Sequence, residues 1–237
     1  MRLLIIIPCY NEQETIAQVY REVCEKVSYD VLVINDHSTD DSREILQNEK
    51  IPHLNLPLNL GIGGAVQTGY RYALRNGYDI TVQLDGDGQH DPGYIADIIA
   101  PIESGEADLV IGSRFMSGLG FRSSVMRRAG IRIFKALIYC LSGKRITDAT
   151  SGFRAVGHDV MELFNLYYAD DYPEPESTML ALRNGYRVYE VPVIMRERQG
   201  GVSSIKSLQP AYYMLKVSLG IIISAIQGRV RDMMHKY

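Results

Sequence analysis

The stretch "VQLDGDGQHDP", residues 82–92, places Asp85, Asp87 and Asp91 within seven positions. Like charges so crowded repel unless something positive lies between them. A hard divalent ion takes oxygen ligands, and Mg2+ takes one or two carboxylates and fills its shell with water or substrate phosphate. Asp85 and Asp87, either side of Gly86, can present carboxylates to Mg2+ or Mn2+ and to sugar hydroxyls. Gly86 and Gly88 lack a Cβ and let the backbone come close to a bulky ligand. Asp91 stands before Pro92 and reads as the N-terminal cap of the next helix.

Other chemistry-bearing residues end other apolar runs. They are Pro8-Cys9-Tyr10-Asn11-Glu12, Asn35-Asp36 and Gly112-Ser113-Arg114. For Asp36 there is a plainer job, capping the following helix, which it shares with Ser38. "NLGIGGA", 59–65, lacks the G-x-x-x-x-G-K-[ST] of a phosphate loop, and "PCYNEQE" lacks the G-x-G-x-x-G of a dinucleotide fingerprint. Its glycines, Gly63 among them, let a turn pass close to a nucleotide.

The elements that position these residues alternate. "RLLIIIP" is a continuous apolar run suited to a strand buried on both faces. "NEQETIAQVYREVCEKV" repeats Ile16, Val19, Val23 and Val27 at helical spacing. "YDVLVIND", "DITVQLDGDG" and "ADLVIGSR" are further strands. "STDDSREILQNEK", the glycine turn running on to Gly77, and "DPGYIADIIAPI" are helices between them, and "RVYEVPVIMRER" is a later strand. Such alternation predicts a doubly wound, mostly parallel α/β sheet, whose ligands bind beyond the carboxyl ends of the strands. The chain of 237 residues suffices for one such domain, 1–206, followed by a tail, 207–237.

Charge divides the chain. Residues 1–120 hold 8 Lys+Arg and 18 Asp+Glu; residues 121–237 hold 17 and 10. An acidic half for nucleotide and metal, 1–120, then stands beside a basic acceptor half, 121–206, suited to an anionic partner or membrane surface. Nothing in the pattern asks for nucleic acid. In "FRSSVMRRAGIRIFKALIYCLSG", Arg128, Arg132 and Lys135 share one helical face; Met126, Ile133, Phe134, Leu137 and Leu141 are expected on the other. In the tail, Lys206, Gln209, Lys216, Gly220, Ser224, Gln227 and Arg231 form a narrow polar stripe on an apolar helix. This amphipathic helix is expected to lie in a membrane interface, or on a small membrane-protein partner or a second copy of the chain; packing on the protein's own core is the plainer alternative. Cys9, Cys24 and Cys140 are odd in number and lack ligand spacing, so they read as reduced thiols of a cytoplasmic protein. "LLIII" is too short for a signal peptide.

"IIIPCYNEQETI", "VLVINDHSTDDS", "NLGIGGAVQTGYRYA", "VQLDGDGQHDP", "VIGSRF" and "TDATSGFRAV" occur in that order. Together they resemble the family 2 glycosyltransferases of the polyprenyl-phosphate branch, similar to dolichyl-phosphate mannose synthases. The resemblance implies a GT-A fold. It implies that Pro8, Tyr10, Asn11 and Glu12 line the nucleotide pocket, that Asp36 contacts base or ribose, and that Asp85 and Asp87 bind the metal and donor diphosphate. Gln89 follows in the same loop and is placed near the transferred sugar. Asp148 lies near the reacting centre. Arg154, whose planar fork suits a phosphate, meets the acceptor or else a structural ion-pair partner. Arg114, Arg128, Arg132 and Glu176 belong to the acceptor side. "RERQGGVSS" is similar to a loop closing over the diphosphate, where Val202 replaces the usual lysine and Arg198 and Ser203 remain.

These parts imply metal-assisted, inverting transfer from a nucleotide sugar, with uracil as the expected base, to a polyprenyl phosphate at the cytoplasmic face of a membrane. A phosphate nucleophile needs cations to hold it and no base. One rival is transfer to a sugar hydroxyl, with Asp148 or Glu176 as base. Another is a non-catalytic subunit, which the intact Asp85 and Asp87 disfavour. A sugar nucleotidylyltransferase needs a basic glycine-rich loop after the first strand, and "PCYNEQET" is not one.

Overall fold

The computed structural model describes residues 1–116, 125–196 and 210–226. Seven strands form one sheet: β1 (Leu3–Cys9), β2 (Asp30–Asn35), β3 (His53–Asn55), β4 (Ile80–Gln83), β5 (Leu109–Ser113), β6 (Arg154–Gly157) and β7 (Val188–Pro192). Their order is β3-β2-β1-β4-β6-β5-β7, and β6 alone among them runs antiparallel to its neighbours. The helices are α1 (Ile16–Lys26), α2 (Ser42–Asn48), α3 (Gly61–Arg75), α4 (Ile95–Glu103), α5 (Val125–Ser142), α6 (His158–Leu166), α7 (Pro173–Arg183) and α8 (Pro210–Ile226). Among the described residues no helix is long and apolar enough to cross a membrane.

Helices cover both faces of the sheet, so every residue of β1 is buried and the run is apolar without alternation. On one side Leu4, Ile6 and Ile34 meet Tyr70, Ile138 and Phe164. On the other Ile5, Ile7 and Val33 meet Ile16, Val23 and Ile98.

The reversed strand matters most for the site. Register pairs Arg154 with Gln83 of β4 and with Ile111 of β5. The start of β6 therefore lies at the edge where the parallel strands end. This brings "TDATSGFR" beside the aspartates of the β4 turn, although some sixty residues separate them in sequence.

Two helix faces differ from expectation. In α5 the buried stripe is Ile131, Phe134 and Ile138, while Ile133 and Leu141, expected inside, are 48% and 42% exposed. In α8 the expected polar stripe faces the protein. Lys216 pairs with Asp171, Ser224 is buried and hydrogen-bonds Glu176, and Gly220 backs on the Glu176 carboxylate. The parts of the tail stripe at Lys206, Gln209, Gln227 and Arg231 lie outside the described residues.

Candidate active site

The acidic turn begins where β4 stops. The Asp85 N–H donates to Nδ1 of His90 at 3.0 Å, so that nitrogen carries no proton and Nε2 must. Nε2 lies 3.7 Å from Asp85 Oδ2, and the ring stacks on Phe153 with centroids 5.0 Å apart. His90 thus holds the Asp85 backbone and faces its carboxylate. Sequence reasoning missed this residue, although it stands in the same short turn. Asp87 is buried and its Oδ1 accepts from the Gln89 N–H at 3.0 Å. Gly88 has φ +75°, so a side chain there would be strained. Gly86 also makes a close approach within the protein. Its carbonyl accepts from the Thr15 hydroxyl at 2.7 Å, and a Cβ on it would meet the Pro8 carbonyl at 3.2 Å. Asp91 accepts from the Gly93 N–H at 2.9 Å and caps the turn into α4, as expected.

Across the gap, Gly152 leaves room for Asp85: a Cβ there would lie 2.9 Å from Asp85 Oδ1. Two carboxylates on one turn, one partly exposed, with glycine opposite, fit a divalent ion completed by substrate oxygens. His158, Asp159 and Glu162 also gather their ligand atoms within 4.8 Å. They sit at the opposite edge of the sheet, at the start of α6, and nothing else there points to a ligand.

On the nucleotide side the loops after β1 and β2 are tied together. Asn11, with φ 56°, donates its N–H to Ser38 Oγ at 3.0 Å and accepts from the Thr39 N–H at 2.8 Å. The Glu12 N–H donates to Ser42 Oγ at 2.9 Å. Pro8 is buried in β1, and Tyr10 is exposed at the edge. Asp36 does cap a helix, but it is α3 rather than the next one, α2. Its Oδ1 accepts from the Leu60 N–H at 2.7 Å. Burial pushes the Asp36 carboxyl upward against the hydrogen bonds from Leu60 and Gly61. Gly63 has a structural reason for its small size. Its N–H donates to the Asp170 carbonyl at 2.9 Å, and a Cβ would strike the backbone of Ala169. The glycine turn is therefore packed on the loop before α7, and this contact excludes a side chain at Gly63.

On the acceptor side two predicted phosphate ligands are already engaged. Arg114 grips Asp148 with Nε to Oδ2 at 2.6 Å and Nη2 to Oδ1 at 2.7 Å, and both are buried. Burial opposes the guanidinium's charge, but the hydrogen bonds and charge of Asp148 outweigh it and raise the Arg114 pKa. Glu190 accepts from the N–H groups of Thr147 and Asp148 at 2.6 and 2.7 Å, fixing this loop. As placed, Asp148 orients Arg114, and its carboxylate is turned to that side chain. Arg154 is wholly buried. It donates to the carbonyls of Ser151, Ala149 and Glu174 at 2.7, 2.9 and 2.9 Å, and to Ser177 Oγ at 3.0 Å. Those bonds make it an anchor between β6 and α7, so it does not meet an acceptor phosphate in this arrangement.

Glu176 points away from the acidic turn, toward Ser224 and Gly220 of α8. The carboxylate of α7 that feels the site is Glu174, which sequence reasoning passed over. Burial raises its pKa, Arg154 and Arg114 pull it down, and the charge of Asp85 pushes it up. "PEPE" carried the signal, and the choice between its two glutamates depended on the phase of α7. Of the basic stripe, Arg132 is exposed and Lys135 Nζ lies 5.8 Å from the centre of the Phe115 ring, which Arg114 also approaches at 5.5 Å. The Arg128 side chain, Arg198 and Ser203 lie outside what is described. The segment leading to Arg198 does cross the acidic turn, since the Arg196 N–H donates to the Gln89 carbonyl at 2.9 Å.

A reversed strand within a parallel sheet, with paired aspartates at the strand ends, defines a GT-A glycosyltransferase. Residues 4–164 match the description "Glycosyl transferase family 2", and the chain belongs to that family. Over 230 residues it is 31% identical to polyprenol monophosphomannose synthase of Mycolicibacterium smegmatis, covering 92% of this chain and 86% of the relative. Over 215 residues it is 31% identical to undecaprenyl-phosphate mannosyltransferase of Micrococcus luteus, covering 86% and 88%. Its fold resembles glucosyl-3-phosphoglycerate synthase from Mycobacterium tuberculosis, solved with Mn2+, UDP-glucose and phosphoglyceric acid, at TM-score 0.72, 18% identity and coverage of 94% and 79%.

Proposed function

We propose that this glycosyltransferase moves a sugar from a nucleotide sugar to a polyprenyl phosphate, with inversion at the anomeric carbon. One observation carries the choice of acceptor. Both carboxylates that a hydroxyl acceptor was expected to need as base are turned elsewhere, Asp148 to Arg114 and Glu176 to α8. A phosphate nucleophile, largely dianionic at neutral pH, needs neither. The basic second half and the mannosyl-transferring relatives, both named for lipid-phosphate acceptors, support the same reading.

Asp85 and Asp87 would hold Mg2+ or Mn2+, which supplies charge to neutralise the departing diphosphate. The protein's own residues do the rest. His90 and the Asp36–Leu60 bond fix the two loops between which a nucleotide fits. Arg114, held rigid by Asp148, keeps a cation at the edge of β5. Lys135 and Arg132 on α5, with Arg128 and the Arg198 loop, are the cations left to hold the acceptor phosphate. The donor follows from the family resemblance as a UDP-sugar, and the named relatives make mannose the first sugar to try.

A second reading has one observation in its favour. Glu174 sits where a base for a hydroxyl would be wanted, and its raised pKa suits that work. The experiment is incubation of a panel of UDP- and GDP-sugars with either a short polyprenyl phosphate or a hydroxyl acceptor, with mass detection of the product. A phosphodiester-linked product supports the proposal. Transfer only to hydroxyl acceptors supports the Glu174 reading.

A further inference from the structure

Strand β4 is buried along its whole length with both faces covered, a setting that suits apolar residues throughout. Ile80 and Val82 fit that rule and fill one side. Thr81 and Gln83 turn to the other, opposite Leu4 and Ile6 of β1. Gln83 is wholly buried, and neither Nε2 nor Oε1 of its side chain has a hydrogen-bond partner. Arg154, opposite it in register on β6, directs its guanidinium instead to Ser151, Ala149, Glu174 and Ser177. A buried amide with its hydrogen bonds unmade is destabilising, and an apolar side chain of the same shape would not be. A fold keeps such a conflict where a site needs the group.

The site begins two residues on. A Cβ at Gly152 would lie 2.9 and 3.1 Å from the two carboxylate oxygens of Asp85, and 3.2 Å from Gln83 Nε2. Amide and carboxylate therefore border the same space, the one Gly152 leaves open by having no side chain. Asp85 Oδ2 also faces His90 Nε2 at 3.7 Å, beyond hydrogen-bond length. Asp85 thus stands near two donors and is bonded to neither. A carboxylate that ligates a metal is oriented by hydrogen bonds from partners behind it, and losing such a partner weakens metal binding.

We infer that Gln83 is a positioning residue for Asp85. When the acidic turn takes up a divalent ion, Nε2 of Gln83 closes on the Asp85 carboxylate and holds its ligating oxygen toward the ion. This rests on the metal assignment of Asp85 and Asp87 above and deepens it. Metal binding then gives the amide the partner it otherwise lacks, which accounts for a glutamine where β4 has no structural use for one.

The test reads stability and metal affinity separately on the full chain. Gln83→Met keeps the volume and removes the amide. Its melting temperature stays at or above the parent's, because an unpaired buried amide is gone. Its dissociation constant for Mn2+ rises about tenfold or more, read from the electron paramagnetic resonance of free Mn2+ during titration in the presence of UDP or GDP. Thr81→Val is the control. Thr81 Oγ1 is likewise buried without a partner, two residues further from the turn, so this variant also keeps or gains stability, and it binds Mn2+ as the parent does. Gln83→Leu repeats the test with a smaller side chain, should Met pack badly. If the parent binds Mn2+ and both Gln83 variants bind it equally well, the inference is overturned and the metal assignment stands. Weaker binding that comes with a lower melting temperature in both variants assigns Gln83 to packing and overturns the inference as well. A parent that binds no Mn2+ removes the metal assignment, and the inference with it.

Discussion

At the scale of residues, the site separates groups that can meet a ligand from groups that hold others still. Asp85 and Asp87 are of the first kind. Asp87→Ala should cut transfer about a thousandfold, the loss of several kcal/mol of charge stabilisation, with little change in melting temperature. EDTA should do the same to the parent, reversed by Mg2+ or Mn2+; full activity in EDTA would remove the metal from the account. Arg154 is of the second kind. Arg154→Ala leaves three carbonyls without their donor and should cost about 3 kcal/mol or more, a fall of roughly 10 °C in Tm. A well-folded Arg154→Ala protein with only a raised acceptor KM would return Arg154 to the acceptor. Glu174 gives a pH signature. Its folded-state pKa is raised above 4.5, so the folded protein holds that proton more tightly than the unfolded chain. The stability this contributes is complete below about 4.5 and is lost as pH rises through the folded value. Glu174→Gln should therefore melt above the parent near neutral pH and converge with it in acid. With a phosphate acceptor the same variant keeps its rate within a few-fold, whereas a base would lose about a hundredfold or more.

At the scale of elements, the sequence was most legible where burial is complete. β1, β2, β4 and β5 follow from apolar runs because both faces of the sheet are covered. β6 was hidden because four residues, Arg154–Gly157, carry too little pattern, and its direction depends on tertiary pairing. With β6 hidden, the proximity of Asp85 and Gly152 could not be read, nor could the way Arg154 is enclosed. α7 was obscured by Pro173 and Pro175, which sit in its first turns where proline is tolerated. In α5, apolar residues fill most of the circumference outside the basic stripe, so periodicity could not decide between Ile131 and Ile133 as the inner position. Motif and position agreed for Asp91, while Asp36 caps the second helix on, α3, rather than the adjacent α2, which only the β2–α3 packing reveals. Gly63 offers a test at this scale. Gly63→Ala should destabilise by about 1–3 kcal/mol, because the Ala169 backbone cannot yield as a side chain would. Thermal melts check this; an altered donor KM with unchanged stability would restore the nucleotide role.

At the scale of the whole molecule, the chain brings an acidic strand edge and a basic helical half to one mouth. The acidic turn suits a metal and a diphosphate, and the cations of α5 suit a second phosphate. Two anions that must meet would otherwise repel, and opposite fields on the two sides hold each in place. That division explains a small net charge, −3, over halves of opposite sign. The central claim is that the nucleophile is a phosphate. Its most direct test is a matched pair of acceptors, a short polyprenyl phosphate and its dephosphorylated alcohol, offered with the same nucleotide sugar and metal, with products weighed by mass spectrometry. The account predicts a glycosyl phosphodiester from the first and no product from the second; equal glycosylation of the alcohol would contradict it.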